Sequence, residues 1–144
     1  MTTMEPSSPL RIAPLRPVAK VALAAEILAE YVPSWWILGR PNVVEMVSAA
    51  RDVRPTKPRV PAELEHALAR RLGRAVVMTL RLLPTDSRCL IRSLVLTRLL
   101  ARRAIPNTLV IGVRKEPDFE AHAWIEHEGR PVLPAGAYTR LTEL

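Results

Sequence analysis

The chain has one cysteine, Cys89, in 144 residues. With no second thiol it can close no intrachain disulfide and can build no thiolate zinc site on its own. No metal or cofactor is therefore expected, and a reducing, cytoplasmic setting fits best. Aromatic residues make up only 4% of the chain, which leaves little for stacking on bases, so the formal net charge of +7 is not read as a nucleic-acid footprint. The arginines are spread along "ALARRLGR" and "LTRLLARRA" and do not form one dense basic run. No stretch supplies the roughly 18 uninterrupted apolar residues of a membrane span, and "MTTMEPSSPLRIAPLRP" lacks the apolar region of a signal peptide. A soluble protein with no membrane partner is expected.

What is present is apolar content of 49%, enough at this length for one core and hardly for two. Three regions follow. Residues 1–16 are rich in proline, which fixes φ and removes amide donors, and should be extended or flexible. Residues 17–83 read as helical. "PVAKVALAAEILAEYV" has apolar residues three and four apart, with Pro17 suited to a first-turn position and Pro33 as its stop. Trp35 and Trp36 follow, assigned to the core, with a docking surface as the alternative. Asn42 is placed to cap a second helix running to about Asp52. After the connector "RPTKPRVP", the segment from Ala62 to Leu83 forms a long helix in which Glu63 and Glu65 are ordinary first-turn acids and His66 lies on a solvated face.

Residues 84–144 hold the informative segments. Pro84 and Thr85 end the preceding helix, Asp86 or Ser87 can cap the next, and Cys89 falls at its second or third position. Leu90, Ile91, Leu94, Val95, Leu96, Leu99 and Leu100 are apolar on most sides, the pattern of a helix buried at the centre of a domain. "NTLVIGVR", "FEAHAWIEHEG" and, after a Glu-Gly turn, "RPVLPAG" read as three strands of an antiparallel meander. The fold class is α+β: N-terminal helices and a central buried helix carrying the cysteine, packed on a small antiparallel sheet.

A cysteine in the first turn of a helix meets unpaired amide donors and the positive end of the helix dipole, which favour a thiolate and can also hold the oxyanion of a tetrahedral intermediate. The backbone amide of Cys89 is one such donor. Free cysteine is equally a small buried hydrophobe, and that alternative stands beside the reactive one. A thiol nucleophile needs a base, and His122 is the histidine placed to supply it. Alternation puts Glu120, His122, Trp124 and Glu126 on one face of a strand and Ala121, Ala123 and Ile125 on the other; His127, at the turn, should be solvated.

Taken together, "CLIRSLVLTRLLARRAI" and "LVIGVRKEPDFEAHAWIEHEGRPV" resemble the leader peptidases of lasso-peptide biosynthesis, bacterial proteins of the transglutaminase-like, papain-related superfamily. The resemblance covers about Pro84 to Leu144. It implies a transglutaminase-like cysteine protease core over 84–144, in which Cys89 attacks the bond between leader and core of a precursor peptide and His122 activates it. It also implies two protein partners besides that precursor: a separate leader-recognition protein and a lasso cyclase. The family commonly orients its histidine with an aspartate on the next strand, whereas Pro134 stands near that position here. Glu120, Glu126 and Glu143 are the candidates for the third member. Two alternatives follow from the same residues: a docking scaffold without catalysis, and acyl transfer to an amine.

Overall fold

A computed structural model of the chain describes residues 12–84 and 88–144. Among the described residues four helices and four strands follow in order: α1 (Pro17–Leu38), α2 (Val43–Arg51), α3 (Ala62–Leu80), α4 (Arg88–Arg102), β1 (Thr108–Arg114), β2 (Glu120–His127), β3 (Arg130–Pro131) and β4 (Thr139–Glu143). The α+β arrangement expected from the sequence is present.

Helix α4 is the centre of the packing. It touches α1, α2, α3 and β2, and Ile91, Leu94, Val95, Leu99 and Leu100 are each fully buried. Burying one such side chain contributes about 1.5–3 kcal/mol, so α4 is the element the rest of the fold is built to cover. Its C-terminal end is closed by backbone. Thr56 and Lys57 of the proline-rich connector donate their amides to the Arg102 carbonyl at 2.9 and 3.0 Å, and Ile105 N–H reaches back to Leu100 O at 3.0 Å. That reversal places Ala104 in the left-handed region, at φ 53°.

Helix α1 runs through Pro33 and does not stop there. Proline lacks the amide that would bond four residues back, but the helix continues because Ser34 and Ile37 are buried beyond it and the Ser34 hydroxyl donates to Glu30 O at 2.7 Å. The inward positions are Ile27, Glu30, Ser34 and Ile37, spaced for one helix face. Trp35 and Trp36 fall out of phase with that face, so the assignment of both to the core is wrong: Trp36 is 81% exposed and Trp35 packs edge-on against Tyr31 near the surface. By length and a mean hydropathy of 1.3, α1 is apolar enough to cross a bilayer. Its inward face is nevertheless committed to α4. Buried Glu30 accepts hydrogen bonds from Arg98 Nε at 2.6 Å and Arg102 Nε at 2.7 Å, and Glu26 receives Arg103 at 2.8 and 2.9 Å. Burial would raise the Glu30 carboxyl, but the hydrogen bonds and charges of Arg102 and Arg98 together outweigh it and hold the group below its ordinary value.

Helix α2 begins as its sequence requires: Asn42 Oδ1 accepts from Glu45 N–H at 2.9 Å while Asn42 Nδ2 donates to Glu45 Oε1 at 3.2 Å. On α3, Glu65 is buried, not a solvated first-turn acid, and its Oε2 lies 3.2 Å from His127 Nε2. His127 is 1% exposed, which overturns its placement in solvent. The end of β2 is covered on the His127 side by Glu65 of α3 and on the Trp124 and Glu126 side by Tyr138 and Arg140, so burial is unbroken from Ala123 onward. His66 is half-buried beside His127, with ring centroids 5.6 Å apart.

The sheet is antiparallel with order β3-β2-β1-β4: the expected meander is present as β1-β2-β3, and β4 adds a fourth strand that the sequence did not announce. Glu128 and Gly129, at φ 51° and 74°, form the expected tight turn between β2 and β3. Only Arg130 and Pro131 of "RPVLPAG" pair as strand; the chain then leaves the sheet and returns along the far edge of β1 as β4.

Candidate active site

Cys89 is the second residue of α4, so its backbone N–H belongs to the first turn, whose amides have no intrahelical acceptor. The capping roles of Asp86 and Ser87 lie outside the described residues. The thiol is half-buried. His122 sits on β2 directly across from Gly112 of β1. Cys89 and His122 line one cavity of about 420 Å³, enclosed by α3, α4, β2 and the segment that follows β3.

The imidazole of His122 packs in a triangle with two rings that also touch each other, Trp124 and Tyr138 having centroids 6.3 Å apart. Tyr138 stacks on it with centroids 4.9 Å apart and Trp124 with centroids 5.8 Å apart. Trp124 and His122 share a face of β2, as alternation requires. Trp124 is in turn fixed by its indole N–H, which donates to Glu126 Oε1 at 3.0 Å, and Glu126 is bound by Arg140 from β4. Burial would raise the Glu126 carboxyl, but the hydrogen bonds from Arg140 and Trp124 bring it below its ordinary value. Close approach of the indole to β1 depends on Gly112. A Cβ there would lie 2.8 Å from Trp124 Cη2 and 2.9 Å from the Thr139 carbonyl oxygen.

Burial lowers the pKa of His122, because the half-buried ring loses hydration of its cationic form; the Glu120 carboxylate opposes that effect. A neutral imidazole near pH 7 is the form that accepts a proton. Tyr138 is raised, first by burial and then by the neighbouring Glu120 carboxylate, with Arg114 opposing. The phenol therefore stays protonated beside the imidazole on which its ring stacks.

The three carboxylates named from the sequence fall in different places. Glu120 is exposed, paired with Arg114, and acts on both His122 and Tyr138. Glu126 is engaged by Trp124 and Arg140, and Glu143 is also bound to Arg140. Pro134 is in the cavity wall, and among the described residues no Asp or Glu lines the cavity. No group of three or more His, Cys, Asp or Glu side chains suited to a metal ion occurs among them.

Tyr138, Gly112 and Arg140 escaped the sequence reading. Tyr138 and Arg140 reach the site only because β4 crosses to β1, and β4 has five exposed residues and no apolar alternation to announce it. The signal available for Gly112 was a glycine interrupting a β-branched run, which marks a place where something approaches the backbone closely.

Residues 27–144 match the family model described as Transglutaminase-like superfamily. No curated protein sequence and no solved structure matches the chain.

Proposed function

The chain belongs to the transglutaminase-like superfamily, and from that premise we propose that it is a cysteine peptidase that removes the leader from a ribosomally made lasso precursor peptide. The observation that carries the reading is that Cys89 and His122, distant in sequence, line the same cavity. In the proposed reaction His122 takes the thiol proton and Cys89 Sγ attacks the scissile carbonyl. First-turn amides of α4, that of Cys89 among them, hold the oxyanion. The tetrahedral intermediate collapses to a thioester as His122 returns the proton to the departing amine, and water, deprotonated by His122, releases the acid.

In this reading the Tyr138 and Trp124 rings orient His122, and Glu120 offsets the positive charge it gains. That replaces the single aspartate common in leader peptidases with a cluster of two rings and an exposed acid, an arrangement that holds the imidazolium less strongly than a buried carboxylate. A separate leader-recognition protein and a lasso cyclase are the proposed partners.

The test is mass spectrometry of the precursor after incubation with the protein, with and without the recognition partner. Cys89→Ala and His122→Ala should each abolish leader removal while thermal unfolding stays cooperative. Cleavage by either variant sinks the proposal. A second reading, a docking scaffold without catalysis, draws support from Pro134 in the cavity wall; slow, ordinary alkylation of Cys89 together with an intact precursor would favour it.

A further inference from the structure

The cavity beside Cys89 is a half-open cleft of about 420 Å³, within the range of sites that take small ligands. Besides Cys89 and His122, its lining includes apolar Val76, Val77, Leu96, Val132 and Leu133 and the exposed Met78. Gly73 allows this lining to close. A Cβ at that position would stand 3.1 Å from both Leu133 Cγ and Val132 Cγ1, so the absence of a side chain lets the segment after β3 lie tightly on α3. The charged side chains among the described lining residues, Arg74 and Arg92, are both cationic.

An apolar space opening beside a nucleophile, with two guanidinium groups at its border, selects by three criteria. It gains from apolar surface, its volume accommodates a branched or aromatic side chain, and it repels a cation. We infer that this cavity receives a large apolar side chain of the peptide substrate, one that flanks the scissile bond, and that it discriminates against lysine and arginine there. The inference rests on the peptidase reading of Cys89 and His122 and adds the chemical class of residue that reading leaves open. Val77 and Leu133, both half-buried in the lining, set the size limit. At about fourfold for each buried methylene, leucine should be preferred to alanine by about 50-fold in kcat/KM.

Two readouts on the full chain test this separately from the chemistry. The first is the rate of Cys89 alkylation by 2-iodo-N-phenethylacetamide against iodoacetamide, each normalised to its rate with N-acetylcysteine and followed by intact mass. The wild type should favour the phenethyl reagent by 10-fold or more. Val77→Phe should erase that preference by filling the cavity, and Leu133→Ala should preserve or increase it; general loss of structure cannot move the two variants in opposite directions. The second readout is cleavage of precursor peptides carrying Leu, Phe, Ala or Lys on either side of the scissile bond, where Leu and Phe should exceed Ala, and Ala should exceed Lys, on one side. A normalised alkylation ratio near one overturns the inference whether or not peptides are cleaved. Apolar-selective alkylation with no cleavage of any peptide overturns the peptidase reading, and with it the assignment of the cavity to substrate.

Discussion

Replacing Gly112 by alanine tests whether the site is assembled by close packing across the sheet. The new methyl would sit 2.8 and 2.9 Å from two indole carbons of Trp124 and 2.9 Å from the carbonyl oxygen of Thr139. The indole cannot simply swing away, because its N–H is bonded to buried Glu126 and its ring lies against His122. The carbonyl is backbone, at the point where the β1–β4 register shifts, so it moves only if β4 moves. Overpacking of this kind costs about 1–3 kcal/mol. For a domain of this size that corresponds to a Tm lowered by roughly 3–10 °C. Displacement of Trp124 also disturbs the cluster it forms with His122 and Tyr138, so kcat/KM for leader removal should fall by more than the loss of folded protein explains. Differential scanning fluorimetry and precursor cleavage measure the two effects. Gly39→Ala serves as control: its Cβ would meet only the Trp36 carbonyl at 3.4 Å, and φ there is −76°, so stability should stay within about 0.5 kcal/mol. A Gly112→Ala protein with wild-type Tm and activity would refute the argument.

Glu30→Gln removes the charge facing Arg98 and Arg102; with Arg102 partly exposed and screened, a loss of about 2–3 kcal/mol is expected by urea unfolding, and an unchanged midpoint would count against the buried network. Burial lowers the pKa of both His66 and His122. The unfolded chain therefore takes up protons near pH 6.5 that the folded chain resists. Their contribution to stability is complete above pH 6.5 and declines as pH falls through the lowered values, so Tm should drop between pH 7.5 and 5.5 and drop less in His66→Gln; a flat or rising Tm contradicts this. The acid limb of kcat/KM should likewise lie below pH 6.5. Ala104→Gly relieves a left-handed residue at the end of α4 and should raise Tm by about 2–3 °C; a fall would show that Ala104 is not strained.

Helix α4 was legible in the sequence because burial on nearly every side leaves a near-continuous apolar run, and Cys89 and His122 stood out as the lone thiol and a histidine on an alternating strand. Other features follow from distant chain segments and leave no local trace. Pro33 signals a stop, yet Ser34 and Ile37 gain enough burial to carry α1 past it. His127 looks like a turn residue until Glu65, far away in sequence, is folded over it. β4 consists of exposed residues held by main-chain pairing to β1, a kind of strand that side-chain patterning cannot announce. The ring cluster beside His122 inherits that invisibility, since Tyr138 lies just ahead of β4.

The ion pairs between α1 and α4 have a mechanical consequence. Arg98, Arg102 and Arg103 are anchored to Glu30 and Glu26 at one end of α4, while Cys89 is about 20 Å away at the other end, by the rise of an α-helix. The helix thus resembles a beam clamped at its base and bedded along its length by Ile91, Leu94 and Val95, with the nucleophile at its tip. A small tilt at the clamp becomes a displacement of the thiol, and the brace nearest the tip is the Ser93 hydroxyl donating to the Ala123 carbonyl at 3.2 Å, next to His122. Changes to the clamp and changes to the brace are therefore unlike in kind. The first alters how firmly the fold holds, and the second alters how closely the sulfur and the imidazole keep station.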